Sequence, residues 1–452
     1  MPNHPARAGD EALREVEELL AGRWGETTLE PSLSRIAALT ARLGDPQRAY
    51  PSLHITGTNG KTSTARMIET LLRAFGLRTG RYTSPHVQDV TERISLDGAP
   101  IPAERFVETY RALEPHADTV DAIQEHRLSF FEVLTGMAYM GFAEAPVDVA
   151  VVEVGMGGGW DATNVIDADV AVVTPIDLDH TDRLGSTIGG IALEKAGIVK
   201  QDAALVMARQ PAVAERVLLE RAVEVNATVA REGLEFGVGS RQVTEDGQIL
   251  TLRGLGRAYP QIHLPLHGVH QAHNAAVALT AVESFLGVGS RQAEPLDIAT
   301  VRDAFASVTS PGRIEVVRRW PMVVLDAAHN PAGARAAAAV PEVFGSGRRL
   351  IGVVGASADK DVRGLLEAFE PVFAEIVITR NSSARAMNTG ELAAVATDVF
   401  GKNRVSVVPA LAGALGTAVA RAGEEFGPTG GGVLVTGSVI TVGEARLLLG
   451  EG

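Results

Sequence analysis

Short valine- and isoleucine-rich runs alternate along the chain with longer segments rich in alanine, leucine, glutamate and arginine. Apolar runs of about four to eight residues are typical of strands that are buried on both faces. Strands that alternate with helical segments in this way build a parallel sheet with helices on both of its faces. The alternation therefore predicts the α/β class.

The first part of the chain carries the clearest of these runs. Its predicted strands are 52–56, 78–83, 147–154, 170–175 and 204–208. Its predicted helices are 62–75, 103–114, 129–143 and 188–197. The stretch 228–266 is polar and rich in glycine turns, which predicts a small antiparallel excursion, and a helix is expected at about 271–285.

A second α/β series begins near residue 308. Its predicted strands are 322–326, 350–355, 374–379, 405–408 and 432–436. Roughly 140 residues are enough for an independent core. We therefore predict a domain of residues 1–308, with a parallel sheet flanked by helices, and a second α/β domain of residues 309–452.

Composition limits what such a fold can bind. The chain has 452 residues and a net charge of −14, so we expect no nucleic-acid partner, although a local pocket for a small anion stays open. The absence of cysteine excludes thiolate metal sites and fits a reducing, cytoplasmic location. No run reaches the roughly 18 apolar residues that span a bilayer, so no membrane partner is expected.

A glycine-rich loop gives the strongest local signal. The segment HITGTNGKTS, residues 54–63, follows a β-type run and precedes a helical one. Such a loop lets backbone N–H groups face an anion at a helix N-terminus, with Lys61 reaching phosphates and Thr62 or Ser63 meeting Mg²⁺. Because Ile55 stands where the full-length nucleotide loop has glycine, only a shortened G-x-x-G-K-T pattern remains. The alternative is a glycine turn that starts an ordinary helix.

Polar residues follow the predicted strands of the first domain. Glu153 ends an apolar strand, where a carboxylate suits Mg²⁺ or simply faces solvent. Asp161, in the glycine-rich run 155–164, could serve recognition or cap a turn. His180 could be a metal ligand or a structural histidine. Local sequence alone predicts that Lys195 is a solvated lysine at a helix end.

A polar motif also follows a predicted strand in the second domain. Asp326 could accept hydrogen bonds from a ribose, and His329 could contact a phosphate. Asn330 and Pro331 have the signature of a helix N-cap followed by proline at the first helical position. Both interpretations can hold at once.

Taken together, these motifs give the sequence a family resemblance. From about Ser34 to its C-terminus the chain resembles the folylpolyglutamate synthase/dihydrofolate synthase branch of the Mur ligase superfamily. The motifs that carry the resemblance are HITGTNGKTS, TSPHVQDVTERI, FFEVLTGMAY, VVEVGMGGGWDATN, LDHTDRLG, EKAGI, HQAHNAAVAL, SPGR, DAAHNP and TGSVITVGEAR. Their order and spacing over nearly the whole chain make coincidence implausible.

The resemblance implies an ATP-dependent amide ligase. It implies a P-loop NTPase-like ATP-binding domain followed by a Rossmann-like ligase domain. The expected reaction adds L-glutamate to the carboxylate of a folate, and also to dihydropteroate, through an acyl phosphate. The implied cofactors are ATP and two Mg²⁺ ions, with a carbamylated lysine at Lys195. The implied partners are these small molecules, and the protein is expected to be a monomer.

The resemblance also assigns roles to residues, beginning with ATP and its metal. The ATP contacts are Gly57, Thr58, Asn59, Gly60, Lys61, Thr62, Ser63, Asn274, Arg313 and Asp326. The Mg²⁺ ligands are Thr62, Ser84, Glu153, His180 and Lys195. Catalytic roles fall to Lys61, Lys195 and His329, the last near the transferring phosphate. The family role given to Lys195 replaces the solvated lysine that local sequence predicts.

The assignments to the remaining substrates are weaker. Arg93, Phe130 and Asp161 match positions near the pterin or the Ω-like loop, and Ser438 matches a position near the incoming glutamate. Two residues depart from the family pattern. Gly159 stands where the family has arginine, which removes one contact to an anion or loop, and Asp177 adds a carboxylate near the expected metal site.

Two other functions stay open at this point. One is a UDP-MurNAc-type amino-acid ligase of the same superfamily, which carries a nucleotide-sugar domain of about 100 residues before the phosphate loop. Here 56 residues precede Gly57, too few for such a domain. The other is a non-catalytic ATP-binding protein, which would not need Glu153, His180 and Lys195 together.

Overall fold

The computed structural model describes residues 8–24, 32–288, 294–338, 340–344, 349–424 and 431–450. The chain forms two compact units. The first unit contains the chain up to Gly239 together with Leu252–Pro260 and Asn274–Phe305. The second contains Ser240–Thr251, Gln261–His273 and the chain from Ala306 onward. The domain boundary at residue 308 stays a prediction.

Strands and helices alternate along the described residues. The strands are β1 Ser52–Thr56, β2 Thr79–Tyr82, β3 Ile94–Leu96, β4 Ala99–Pro100, β5 Val149–Glu153, β6 Val170–Val173, β7 Ala204–Met207, β8 Thr228–Arg231, β9 Gly237–Thr244, β10 Gly247–Arg253, β11 Ala258–Leu264, β12 Glu315–Arg319, β13 Met322–Leu325, β14 Leu350–Val354, β15 Phe373–Arg380, β16 Val405–Ala410 and β17 Gly432–Thr436. The helices are α1 Ala8–Ala21, α2 Ser34–Arg42, α3 Lys61–Ala74, α4 Ala103–Ile123, α5 Phe130–Glu144, α6 Thr181–Leu184, α7 Ile188–Ala196, α8 Ala212–Glu224, α9 Val269–Phe285, α10 Ile298–Ala306, α11 Pro331–Ala337, α12 Pro341–Phe344, α13 Val362–Phe369, α14 Thr389–Phe400, α15 Leu411–Glu424 and α16 Val439–Leu448.

The main sheet of the first unit confirms the predicted parallel arrangement. Its strand order is β4-β3-β2-β5-β1-β6-β7-β8. Every pairing from β2 through β8 is parallel, and β3 and β4 pair antiparallel at one edge. All residues of β1 and β5 are buried, as expected for strands covered on both faces. The carboxyl ends of β5, β1 and β6 therefore lie side by side, where α/β proteins bind ligands.

Helices α2, α4 and α5 pack a large apolar core against this sheet. Leu39, Phe106, Leu134 and Phe142 are among its fully buried side chains. Each contributes about 1.5–3 kcal/mol by leaving water. The core fixes α5, whose Phe131 ring lies against Gly155, just beyond the carboxyl end of β5.

The second unit is built on a separate sheet with the order β12-β13-β17-β14-β15-β16. Its pairings are parallel except for β12, which runs antiparallel to β13. The predicted helix cap is confirmed, since the Asn330 side chain accepts a hydrogen bond from Gly333 N and Pro331 is the first residue of α11. The predicted Rossmann-like α/β arrangement is confirmed as well.

Two expectations about elements were wrong. The segment 228–266 does not begin as a separate excursion, because β8 joins the main sheet parallel to β7 and only β9, β10 and β11 form a three-stranded sheet. Helix α4 does not end before Pro115 but runs on to Ile123. Its buried residues Leu113, Ala117 and Val120 continue one apolar stripe, so packing overrides the proline. Among the described residues no helix is long and apolar enough to cross a membrane.

Candidate active site

The predicted phosphate loop lies between β1 and α3. Gly57 has φ 145° and Gly60 has φ 91°, backbone conformations that residues other than glycine rarely adopt. A Cβ atom at Gly57 would lie 1.9 Å from Thr174 Oγ1, so only glycine fits against β6. Glycine at these two positions lets the chain turn from β1 directly into the N-terminus of α3, a position that suits a nucleotide phosphate.

The loop is tied to the segment that follows β6. Thr58 N donates to Pro175 O at 2.9 Å, and Thr58 Oγ1 donates to the carbonyl oxygen of Asp177 at 2.9 Å. Asp177 N donates back to Thr58 Oγ1 at 3.0 Å. The Asp177 carboxylate accepts from Leu178 N, so this departure from the family pattern caps its own loop.

Asn274 on α9 lies against the same loop. A Cβ atom at Gly60 would approach Asn274 Oδ1 to 2.6 Å. Asn274 is buried, and it belongs to the first unit. The structure therefore brings this residue to the phosphate loop, as expected for a contact with ATP.

Two lysine amines converge on the carbonyl oxygen of Gly57. Lys61 Nζ donates to it at 3.1 Å, and Lys195 Nζ donates to it at 3.0 Å. Lys195 is only 4% exposed, so the local expectation of a solvated helix-end lysine is wrong. Burial, together with the nearby charge of Lys61, lowers the pKa of Lys195 to about 7. A large fraction of this amine is therefore neutral at physiological pH.

Thr62 at the start of α3 and Ser84 after β2 both hydrogen-bond to Glu153 at the end of β5, which is 1% exposed. Its Oε1 accepts from Thr62 Oγ1 at 2.9 Å, and its Oε2 accepts from Ser84 N at 3.2 Å. A carboxylate beside two hydroxyl-bearing residues next to a phosphate loop is a donor set that Mg²⁺ prefers. Three of the predicted metal ligands are thus brought together.

His180 is placed differently from these three residues. It precedes α6, and its backbone has φ 49°, a left-handed conformation that is uncommon for residues other than glycine. Its backbone N–H donates to Asp179 Oδ1 at 2.8 Å. No cluster of three or more histidine, aspartate or glutamate side chains suited to a metal occurs within the described residues. The metal role of His180 therefore stays a prediction.

Arg93 and Phe130 form a small aromatic and cationic group. The Arg93 guanidinium lies 5.0 Å from the centre of the Phe130 ring. Arg93 Nε also donates to His86 Nδ1 at 3.0 Å. Phe130 is the first residue of α5, where Ser129 and Glu132 form a capping box. Sequence reasoning quoted His86 within a motif but gave it no role.

The glycine-rich loop 155–164 is closed by Asp161. Asp161 Oδ2 accepts from Met156 N at 2.9 Å, and Oδ1 accepts from Thr163 N at 3.0 Å. Burial raises the pKa of Asp161 to about 6, although these hydrogen bonds by themselves lower it. Gly159 N donates to Glu194 O at 2.9 Å, and a Cβ atom at Gly159 would lie 3.1 Å from Glu194 Oε1. The arginine of the family pattern would therefore stand beside a carboxylate here.

Asp326 is buried at the end of β13 in the second unit. Its Oδ2 accepts from Ile314 N and its Oδ1 from Ala328 N, both at 2.9 Å. Burial raises the pKa of Asp326 to about 6, and the charge of Arg313 opposes that rise. The charges of Asp326 and Arg313 therefore interact.

His329 and Ser438 follow the adjacent parallel strands β13 and β17. His329 Nδ1 contacts Ala327 O at 2.9 Å, so this nitrogen carries the proton and donates. Ser438 caps α16 by accepting from Ile440 N at 3.2 Å. Gly437 N donates to Ala328 O at 3.0 Å, which ties the two loops together.

A polar cavity of about 510 Å³ opens in the second unit at the ends of β15 and β16. It is lined by Arg380, Asn381, Ser382, Ser383, Ala384, Asn388, Thr389 and Pro409. Arg380 is exposed, and Asn381 is buried with its Nδ2 donating to Thr441 Oγ1 at 2.8 Å. Sequence reasoning missed this cavity, because its polar residues follow no motif that was singled out.

The chain is similar to known proteins over most of its length. The Mur ligase middle domain matches residues 55–282, and the Mur ligase, glutamate ligase domain matches residues 312–439. A dihydrofolate synthase/folylpolyglutamate synthase of Mycobacterium tuberculosis is 50% identical over 463 residues, which cover 97% of this chain and 94% of the relative. The Escherichia coli protein of the same name is 34% identical over 346 residues, which cover 75% of each chain.

Solved structures are similar over nearly the whole chain. The M. tuberculosis folylpolyglutamate synthase complexed with ADP and AMPPCP superposes with a TM-score of 0.92, at 50% identity, covering 98% of this chain and 99% of that one. E. coli FolC in complex with DHPP and ADP gives a TM-score of 0.83 at 29% identity, covering 98% and 99%.

Proposed function

The chain belongs to the dihydrofolate synthase/folylpolyglutamate synthase family of Mur ligases, and from this membership we propose how its site acts. The protein is an ATP-dependent ligase that joins L-glutamate to the carboxylate of a folate, and the same site accepts dihydropteroate. The meeting of Glu153, Thr62 and Ser84 beside the phosphate loop carries this proposal.

The reaction requires activation of a carboxylate, which is a poor electrophile. One carboxylate oxygen of the folate attacks the γ-phosphorus of ATP, ADP leaves, and an acyl phosphate forms. The glutamate amine then attacks the acyl carbon and loses a proton, and inorganic phosphate leaves as the amide forms. Both steps concentrate negative charge on phosphoryl oxygens, so clustered cations and backbone N–H groups lower the barrier.

The first unit supplies the groups for the phosphates. The loop from Gly57 to Ser63 holds them at the N-terminus of α3, and Lys61 is close enough to the loop to neutralise their charge. Asn274 touches the loop at Gly60 and would orient the nucleotide.

Glu153, Thr62 and Ser84 fit a Mg²⁺ ion, and His180 and Lys195 are proposed to complete two metal sites. When bound, Mg²⁺ neutralises phosphate charge and aligns the phosphoryl group for transfer. Glu153 provides the anionic oxygen, and Thr62 Oγ1 lies 2.9 Å from it.

We propose carbamylation of Lys195 as part of the second metal site. The neutral form of an amine is the one that reacts with carbon dioxide, and the lowered pKa of Lys195 favours that form. The product would be an anionic carbamate beside Lys61, whose charge compensates it. Mass spectrometry under native conditions, with and without bicarbonate, tests this step.

Four residues of the second unit, Arg313, Asp326, His329 and Ser438, are proposed to take the roles that the family gives to their positions. Asp326 would accept from the ribose hydroxyls, with Arg313 contacting ATP and His329 near the transferring phosphate. Ser438 lies in the loop that follows β17 and would face the glutamate. In the cavity near β15, the Arg380 guanidinium suits a glutamate carboxylate.

The pterin acceptor is proposed to lie near Arg93, Phe130 and Asp161. The Phe130 ring can stack on a flat heterocycle while Arg93 holds its orientation. Asp161 offers a buried carboxylate for ring N–H groups.

Release of ADP, measured in a coupled assay with ATP, Mg²⁺ and L-glutamate, tests the proposed function. Dihydropteroate and tetrahydrofolate are compared as acceptors, and each substrate is omitted in turn. Turnover with both acceptors supports a bifunctional synthase, and turnover with tetrahydrofolate alone restricts the protein to polyglutamylation. ADP release that is unchanged when glutamate or the acceptor is omitted refutes the ligase.

A further inference from the structure

A chain of buried hydrogen bonds joins β1 to the glycine-rich loop 155–164. His54 lies in the middle of β1 and is 0% exposed. Its Nε2 lies 2.8 Å from Thr163 Oγ1, and this hydroxyl contacts Asp161 Oδ1. Because Asp161 also accepts from Met156 N at 2.9 Å, the chain reaches from the sheet interior to the start of the loop.

The direction of each hydrogen bond follows from the chemistry of its groups. An ionised carboxylate only accepts, so Thr163 gives its single hydroxyl proton to Asp161. The Thr163 oxygen is then an acceptor, and His54 must donate to it through Nε2. Burial beside Lys200 lowers the pKa of His54 to about 3, so the ring is neutral with its proton on Nε2. His54 Nδ1 has no hydrogen-bond partner among the described side chains.

The loop closed by Asp161 touches two parts of the candidate site. Thr56 Oγ1, just before the phosphate loop, donates to Gly157 O at 2.7 Å. Gly159 N donates to Glu194 O at 2.9 Å, next to Lys195 in the chain. These two hydrogen bonds hold the loop backbone at Gly157 and Gly159 without the Asp161 side chain, so a shift of the Asp161 carboxylate leaves the phosphate loop and the end of α7 in place.

We propose that His54 is a positioning residue for the pterin acceptor, acting through the Thr163 hydroxyl to hold the Asp161 carboxylate in place. His54 is wholly buried, so it acts only through its neighbours. The proposal rests on the proposed function, which puts Asp161 at the pterin. The competing explanation is that the chain only stabilises the fold, and it predicts no selective effect on the acceptor.

Four variants separate these explanations. His54→Leu removes the Nε2 donor, and His54→Gln keeps an N–H donor at a similar reach. Thr163→Val removes the hydroxyl with little change of shape. Tyr139→Phe is the matched control, because the buried Tyr139 hydroxyl donates to the backbone oxygen of Thr163 at 2.7 Å and lies outside the chain.

We expect His54→Leu and Thr163→Val to raise the KM for the pterin acceptor about tenfold, the equivalent of about 1.4 kcal/mol. The KM for ATP stays within about twofold in the same variants. His54→Gln restores most of the acceptor KM, and Tyr139→Phe leaves it unchanged. An equal rise in Tyr139→Phe, or no rise in Thr163→Val, overturns the positioning role.

A measurement on the protein without substrates keeps this test separate from the proposed function. The ¹⁵N NMR signals of the His54 ring, identified by their loss in His54→Gln, should report the Nε2–H form at neutral pH. A proton on Nδ1 overturns the chain even in an active enzyme. If the wild type turns over neither acceptor, the proposed function fails. The NMR result still tests whether the hydrogen bonds from His54 through Thr163 to Asp161 exist. Should His54→Leu not fold, Thr163→Val and the NMR signals decide.

Discussion

The buried amine of Lys195 should make the metal-free protein less stable near neutral pH than a variant without it. Lys195→Met replaces the amine with an apolar side chain of similar length. The amine donates to Gly57 O at 3.0 Å and lies beside Lys61. We expect the variant to lose ligase activity but to resist urea better than the wild type below about pH 7.

The magnitude follows from the lowered pKa. A fall from 10.5 in the unfolded chain to about 7 in the folded protein costs the charged amine about 5 kcal/mol, at about 1.4 kcal/mol for each pH unit. The methionine loses one hydrogen bond, worth about 1 kcal/mol. The variant should therefore gain about 3–4 kcal/mol at about pH 6.

The sign of the pH dependence distinguishes this cause from others. Because the folded pKa of Lys195 lies below the unfolded one, the unfolded chain binds more protons between about pH 7 and 10.5. The wild type therefore becomes more stable as pH rises through this window, and Lys195→Met lacks this gain. The difference between the two proteins should shrink by about 3 kcal/mol between about pH 7 and 9.5.

Urea unfolding of both proteins in chelator and CO₂-free buffer, at about pH 6, 8 and 9.5, measures this difference. Lys402→Met, at an exposed lysine, is the control, and its free energy of unfolding should differ little from that of the wild type at every pH. Parallel stability curves for wild type and Lys195→Met would refute the reasoning, because the amine would then titrate alike in both states.

Three further predictions concern the other groups of the site. Glu153→Gln keeps a partner for Thr62 Oγ1 but removes the charge, so the Mg²⁺ concentration for half-maximal rate should rise at least about tenfold. An unchanged Mg²⁺ titration would contradict the assignment of Glu153 as a metal ligand. Gly60→Ala puts a Cβ atom 2.6 Å from Asn274 Oδ1 at φ 91°, so it should cost about 1–2 kcal/mol and raise the KM for ATP. Gly76→Ala, at φ 85° with nothing within 4 Å, should cost stability alone, and equal ATP kinetics in both variants would exclude the contact. Arg380→Gln should raise the KM for glutamate about tenfold with little change for ATP, and the reverse selectivity would place another ligand in the cavity near β15.

The elements that carry the site were predictable where the signal is local. β1 and β17 have the predicted bounds, because each is a short β-type run that glycine ends. The cap of α11 was readable from Asn330 and Pro331 alone. These features depend on backbone sterics and on neighbours within a few residues, which the order of amino acids contains directly.

Lys195 shows where local reasoning fails. Its sequence context is that of a solvated lysine in the last turn of a helix, yet its amine is buried against Gly57, which precedes it by 138 residues. The resemblance to a family corrected this expectation, and periodicity could not have done so. The chain from His54 to Thr163 spans 109 residues and had no signal in the sequence.

The sequence by itself determined the α/β class, the phosphate loop and the order of motifs that places the chain among Mur ligases. Only the tertiary structure decided which side chains meet, as when Thr62 reaches Glu153 across 91 residues. That meeting depends on β5 lying between β2 and β1, which follows from packing of the whole sheet. Buried parallel strands have similar apolar patterns, so their sequences do not specify which strands become neighbours.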